Sequence, residues 1–330
     1  MNNSILLICF SFVVLVLSSC RLTDSNTSSG RPYEVLVVMD QAEWERAAGK
    51  VLKEVLCTDV QGLPQSEPSF QVMYASPKHF DSSLKLVRNI ILVDINNSYA
   101  KSSFEYAKDS YASPQMILTI QSPDAAEFQQ FVKNNQQTII NFFTRAEMNR
   151  DIALLQKKHN SYITQVVDSL FGCNIQIPAS LNRSKVGEHF VWASTDTGFG
   201  DQNFVMYSYP YTDKNTLTKF CFVQKRDSVM HANIPGFKEG TYMATDSLLT
   251  DVKLIDSHQG SFMEARGLWR MKNDFMGGPY ISHVRIDSVN HNVITTEIFV
   301  YSPDKMKRNL MRQMEAALYT LKMPIKSGEQ

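Results

Sequence analysis

Gln115-Met116-Ile117-Leu118-Thr119-Ile120-Gln121-Ser122-Pro123-Asp124 and, near the other end of the chain, Val293-Ile294-Thr295-Thr296-Glu297-Ile298-Phe299-Val300-Tyr301-Ser302-Pro303-Asp304 follow the same pattern. Each opens with a β-branched, largely apolar run that reads as a strand. Each closes on Ser-Pro-Asp, where Ser is a favoured helix cap, Pro suits a first turn and Asp complements the helix dipole. Behind the first, Phe128, Phe131, Val132, Ile139, Phe142 and Phe143 recur at helical spacing. Behind the second, Met306, Leu310, Met314, Ala317, Leu318 and Leu321 do the same. Each motif therefore predicts a strand leading into an amphipathic helix that lies on the strand's own sheet. The recurrence predicts two related halves. The competing reading is that good helix-start chemistry arose twice.

Outward from these anchors, Glu34 to Met39, Phe70 to Tyr74 and Asn89 to Ile95 read as strands, and Gln41 to Cys57 as a helix. No Gly or Pro interrupts Asp124 to Gly172, which predicts one very long helix or two with a bend near Arg145. Asn174 to Pro178 reads as a short strand. Further strands are expected at 190–193, 204–209, 262–270, 280–286 and 293–301. Runs of strands bracketed by helices predict an α+β fold of mainly antiparallel sheets with amphipathic helices packed on them. The expected boundaries are an N-terminal half over 33–147 and a C-terminal half over 148–330, with an insertion near 212–261.

At the N-terminus, Ile5 to Leu17 is an apolar run broken only by Ser11. It is too short for a membrane span, which needs ~20 residues, and suits a secretory signal. Leu17-Ser18-Ser19-Cys20 then reads as a lipobox. Small residues fit the peptidase, and the thiol of Cys20 accepts the lipid. Residues 1–20 are thus expected to be a lipoprotein signal, although its start carries no Lys or Arg. The polar stretch 21–32 is expected to be a flexible tether. Lysines and arginines balance aspartates and glutamates at 33 each, so no global field favours nucleic acid. Cys57, Cys173 and Cys221 stand in no metal-ligand spacing and read as buried apolar thiols, with one disulfide at most.

Two segments invite a chemical reading. Trp269, Arg270, Asp274, Gly277 and Gly278 lie within one stretch. They could form a binding pocket in which the guanidinium takes an anion, the indole makes a flat wall and the glycines admit a ligand. The alternative is a tight connection between two strands, with Trp269 in the core and Asp274 on the turn. Lys225-Arg226-Asp227-Ser228, followed by His231, suggests a hydrolase, but no Gly-x-Ser-x-Gly surrounds the serine. The plainer reading is a charged face of a helix or strand. The seven histidines form no metal motif, and no nucleotide-binding glycine pattern occurs. No metal and no cofactor are expected.

The lipobox, Gly62-Leu63-Pro64-Gln65 with Glu67-Pro68, Arg88-Asn89-Ile90, Lys225 to Val229, Gly267-Leu268-Trp269, Met276 to Pro279 and Lys307-Arg308 to Glu315 together resemble an uncharacterised lipoprotein family of Bacteroidota. That family is a domain of unknown function (DUF4837-like). The resemblance implies a lineage and an envelope location and brings no catalytic residues. The expectation is a protein held to the membrane by lipid on Cys20. It would be a non-catalytic module binding an envelope protein or glycan, facing the periplasm from the outer membrane. The alternative is an envelope hydrolase of glycan or peptide whose catalytic residues are dispersed in sequence.

Overall fold

The computed structural model describes residues 26–195, 197, 200–236, 238–257 and 260–324. The segment expected to be a signal, with Cys20, and residues 21–25 lie outside the described residues. The segment expected to be a tether is bound into the fold from Asn26 on. Ser113 N–H donates to Asn26 O, Ser28 N–H to Ser113 O, and Arg88 N–H to Ser29 O. Its small polar residues supply the backbone pairing that two loop ends would otherwise lack.

The N-terminal half runs β1 (Glu34–Val38), α1 (Gln41–Glu45), α2 (Ala47–Leu56), β2 (Gln71–Ala75), β3 (Asn89–Ile95), β4 (Ser103–Lys108), β5 (Met116–Ser122), α3 (Ala125–Asn134) and α4 (Gln136–Lys157). Its sheet has the order β2-β1-β3-β5-β4, with β1, β2, β3 and β5 parallel and only β4 antiparallel. This departs from the antiparallel expectation for a physical reason. Parallel neighbours need a crossover, and α1 and α2 supply it between β1 and β2. One face carries the core of Val35, Val37, Leu52, Phe70, Leu118, Phe128, Ile139 and Phe143 beneath α2, α3 and α4. The other is covered by the 76–88 connection through Phe80 and Leu84.

The C-terminal half runs α5 (Ser161–Phe171), β6 (Arg183–Gly187), β7 (Phe190–Ser194), β8 (Asp201–Pro210), α6 (Lys219–Asn233), β9 (Tyr242–Ile255), β10 (Phe262–Lys272), β11 (Gly277–Asp287), β12 (Asn292–Tyr301) and α7 (Arg308–Leu318). Its sheet, β6-β7-β8-β12-β11-β10-β9, is antiparallel throughout. The molecule is α+β, with antiparallel pairing dominant because this larger sheet carries most of the strands. Helices α5 and α7 cover one face and α6 the other. Residues 212–261 supply α6 and the edge strand β9, so they complete the sheet's second layer. The 174–178 segment makes only an isolated bridge, Asn174 to Lys322.

The halves are not copies of one another, because a mostly parallel sheet and an antiparallel meander share no strand order. The two Ser-Pro-Asp motifs also differ in role. In the first, Asp124, not Ser122, is the N-cap, accepting from Ala126 N–H and Glu127 N–H at 2.8 and 2.9 Å. In the second, Asp304 takes φ +55° in a turn, and α7 begins four residues later. The N–H groups of Lys307 and Arg308 donate instead to Glu67 of the other half, at 2.7 and 2.8 Å. A carboxylate at a helix N-terminus satisfies orphan donors and complements the dipole.

The 124–172 interval holds three helices, broken at Asn135 and at 158–160. No bend occurs at Arg145, and the boundary drawn at 147/148 falls inside α4. That helix serves both halves. Ile139, Ile140 and Phe143 enter the N-terminal core, whereas Leu155, with Met148 and Ile152 against it, packs in the C-terminal core. A third face is left to solvent. Among the described residues no helix is long and apolar enough to cross a membrane.

Candidate functional site

Trp269 and Arg270 are neighbours on β10 and so point to opposite faces of the sheet. Trp269 is buried against Phe299 beneath α6, and Arg270 is exposed. Asp274 closes the β10–β11 turn by accepting from Phe275 N–H at 2.6 Å. Gly277 and Gly278 pair with Arg270 and Trp269 in the ladder. A Cβ on Gly278 would stand 2.1 Å from Val300 O, so this glycine serves backbone packing. The five residues form a hairpin, and the geometry does not gather them around a cavity.

Lys225 to Ser228 lies on α6, and the plain reading as a charged face fails for two of its members. Arg226 and Glu297 are both fully buried. Arg226 Nε and Nη2 donate to Glu297 Oε2 and Oε1 at 2.8 and 2.7 Å, and Nη1 donates to Thr245 Oγ1 at 2.9 Å. Ser282 Oγ donates to Glu297 at 2.6 Å, and the guanidinium lies 4.1 Å from the Tyr280 ring centre. Burial alone would depress the guanidinium; the adjacent carboxylate outweighs it and holds the pKa above its ordinary value. Asp227 accepts from both Thr245 N–H and Oγ1. Without solvent access the set is a bidentate clamp between α6 and the sheet.

The opposite face of the same sheet carries a second charged network, half-buried at Arg266. Arg266 donates to Glu264 at 2.6 and 2.9 Å and also to Glu315 of α7. His283 Nε2 lies 3.5 Å from Glu264. Burial would raise the Glu264 carboxyl, but His283 and Arg266 outweigh it and bring it down to about 2. Burial lowers the His283 pKa.

A large cavity lies elsewhere, in a cleft between the solvent face of α4 and the end of the N-terminal sheet, about 880 Å³ in volume. Small-molecule sites occupy ~300–1,000 Å³. Along α4, Phe142, Arg145, Ala146, Asn149, Arg150, Ala153, Leu154 and Lys157 follow at helical spacing and form one wall. Facing them are Tyr106 and Lys108 of β4, Pro114 to Met116 at the start of β5, and Arg88 just before β3. The cleft thus sits at the N-terminal ends of the parallel strands β3 and β5. Open parallel sheets usually bind ligands at the opposite ends, so analogy of topology does not point here.

Five cations line this cleft and no carboxylate does. Arg150 donates to Asn89 Oδ1, Glu147 Oε1 and Arg88 O at 2.8–2.9 Å, and Arg88 lies 3.3 Å from Glu147. Two guanidinium groups therefore share the single carboxylate of Glu147 behind the wall. Burial lowers the Arg150 pKa. It raises the Asp151 carboxyl, aided by Glu147, to about 6. Arg145, Lys108 and Lys157 are exposed and take part in none of the ion pairs found among the described residues. Apolar surface lies among them: Tyr106 is 55 % exposed and Leu154 63 %.

Reading α4 for its buried stripe alone misses this site. The available signal was the complementary stripe, Arg145, Arg150 and Lys157 alternating with Phe142, Ala146 and Leu154. The three cysteines are free. Cys173 is buried, and burial pushes its thiol up to about 12.

Residues 160–320 match the family described as a domain of unknown function (DUF4837), and residues 28–156 match a second domain of unknown function (DUF8532). The first match spans the C-terminal half from α5 to α7. The two matches meet between α4 and α5, where the chain passes from one sheet to the other. None of the curated proteins compared matches the chain.

Proposed function

We propose that this chain is a lipid-anchored, non-catalytic binding module of a bacterial envelope, with the cleft beside α4 as its site for an anionic ligand. The observation that carries the reading is the lining itself: five cations among apolar side chains, with no carboxylate, histidine, serine or cysteine. Such a wall can hold negative charge and exclude water, but it offers no general acid–base pair and no activated nucleophile. The Arg226 network is fully buried and offers no route for a substrate. The anchor rests on the lipobox ending at Cys20, and an outer-membrane site facing the periplasm on the sequence after it.

Native mass spectrometry of the chain extracted from its own envelope tests the site. A co-purifying anionic molecule is expected, and Arg145→Ala/Lys157→Ala should remove it. Equal retention by the variant would contradict the cleft as the site. Metabolic labelling with a clickable fatty acid tests the anchor: Cys20→Ala should abolish the label, and undiminished label would end the lipoprotein reading.

A further inference from the structure

Building on the binding-module reading, we infer that the ligand is a membrane lipid with a phosphate headgroup, taken from the same membrane that holds the anchor. The first ground is the division of the lining. Arg145, Lys108 and Lys157 are free to meet a headgroup, whereas Phe142, Leu154 and Tyr106 offer an apolar surface. A small inorganic anion would leave that apolar surface wet, and a neutral apolar ligand would leave the cations without counter-charge. An anionic amphiphile satisfies both.

The second ground is where the chain leaves the fold. Asn26 is held by Ser113 N–H, and Thr27 bridges Ser113. The next residue, Pro114, lines the cleft, as does Gln115. Arg88, another lining residue, is held through its own N–H by Ser29. Cys20 is six residues from Asn26, which allows a reach of at most about 20 Å at ~3.3–3.6 Å per residue. A lipid on Cys20 therefore brings the mouth of this cleft to the membrane surface, and leaves more distant faces of the molecule less constrained.

The third ground is the shape of the wall. The lining stripe of α4 runs from Thr138 to Lys157, about 28 Å at ~1.5 Å per residue, with basic and apolar side chains interleaved from Phe142 to Lys157. An elongated amphiphile lying along the helix meets both kinds of side chain. A glycan would use the amides of Gln115, Asn141 and Asn149 and the rings of Tyr106 and Phe142, but it would leave the five cations without counter-charge.

The test places a photoreactive phenylalanine analogue at Leu154 of the full chain, expressed in its own envelope, with a second copy of the experiment at Leu248. Leu248 is an exposed leucine of β9 that does not line the cleft. Irradiation is expected to give a phospholipid adduct at 154, reduced at least tenfold by Arg145→Ala/Lys157→Ala, and none at 248. In vitro, residues 21–330 produced without the lipid should float with phosphatidylglycerol vesicles and not with phosphatidylcholine vesicles, and the same double variant should lose flotation. A glycan or protein adduct at 154 would overturn the lipid and leave the cleft as a binding site. Equal adducts at 154 and 248, or flotation indifferent to the double variant, would overturn both.

Discussion

In the C-terminal half, Arg226 and Glu297 meet through two hydrogen bonds of 2.7 and 2.8 Å with neither side chain exposed, and Arg266 is held between Glu264 and Glu315. In the N-terminal half, Arg88 and Arg150 share Glu147, and three further cations stand beside them on an open apolar wall. The same residue types do different work in the two places. A buried charge that is fully paired fixes the position of a helix on a sheet. A charge held at a cleft without its counter-charge is a cost to the folded state that a ligand can offset. Local incompleteness, more than charge itself, distinguishes the candidate site from the scaffold.

The largest effect separating the halves is expected at Glu297. Glu297→Ala leaves the Arg226 guanidinium buried and unpaired, which should cost about 3–5 kcal/mol, read as a lower urea midpoint. Replacing both partners by Met and Leu should recover most of that loss. If the double replacement is as unstable as the single one, the clamp is more than an ion pair.

The acid response comes next. Glu264, held down to about 2, contributes stability that is complete above its unfolded value of 4.5 and is lost as pH falls toward 2. The contribution is on the order of 3 kcal/mol. Melting temperature should therefore drop over that window, and Glu264→Gln should flatten the drop.

Glu67→Ala should cost about 1–2 kcal/mol by removing the cap on α7. Hydrogen exchange at the Lys307 and Arg308 amides should accelerate more than elsewhere in α7. Asp151 behaves in the sense opposite to Glu264. Its folded pKa is raised from 3.8 to about 6, so the folded state holds the proton more tightly and stability falls as pH rises through that interval. Asp151→Asn should stabilise the chain above pH 6 and change little below pH 4, a crossing visible in melting curves at the two pH values.

Much of the fold was legible in sequence where one face decides the pattern. Asn89 to Ile95 is a strand with the expected limits, and the apolar runs at 262–270 and 293–301 fall inside β10 and β12. Strands β4, β6 and β9 were not legible. β4 and β6 are edge strands with mostly exposed residues, and β9 is exposed over much of its length, so none shows a clean apolar alternation. Parallel pairing of β1, β2, β3 and β5 leaves no mark in a single strand, because register and direction are set by the connections. Ser-Pro-Asp identified a helix start at Asp124 and only a turn at Asp304, since a turn and a cap use the same residues.

At the site level, Lys225 to Val229 and Lys307 to Glu315 stood out in the sequence. Arg226, Asp227, Lys307, Arg308 and Glu315 prove to hold helices in place. The cleft was not legible, because its walls come from α4, β4 and the starts of β3 and β5, and only folding brings Arg88 beside Arg145.

The most direct test of this contrast is thermal unfolding of residues 21–330, without a lipid on the chain, and of the same chain with Arg145→Ala/Lys157→Ala, each with and without phosphatidylglycerol. Without lipid the variant should melt at the same temperature or slightly higher, because two exposed, unpaired cations contribute within ~0.5 kcal/mol. With lipid only the unaltered chain should gain stability, by the linkage of ligand to the folded state. A variant several degrees less stable without lipid, gaining as much as the unaltered chain when lipid is added, would show that these cations belong to the scaffold and would contradict the account.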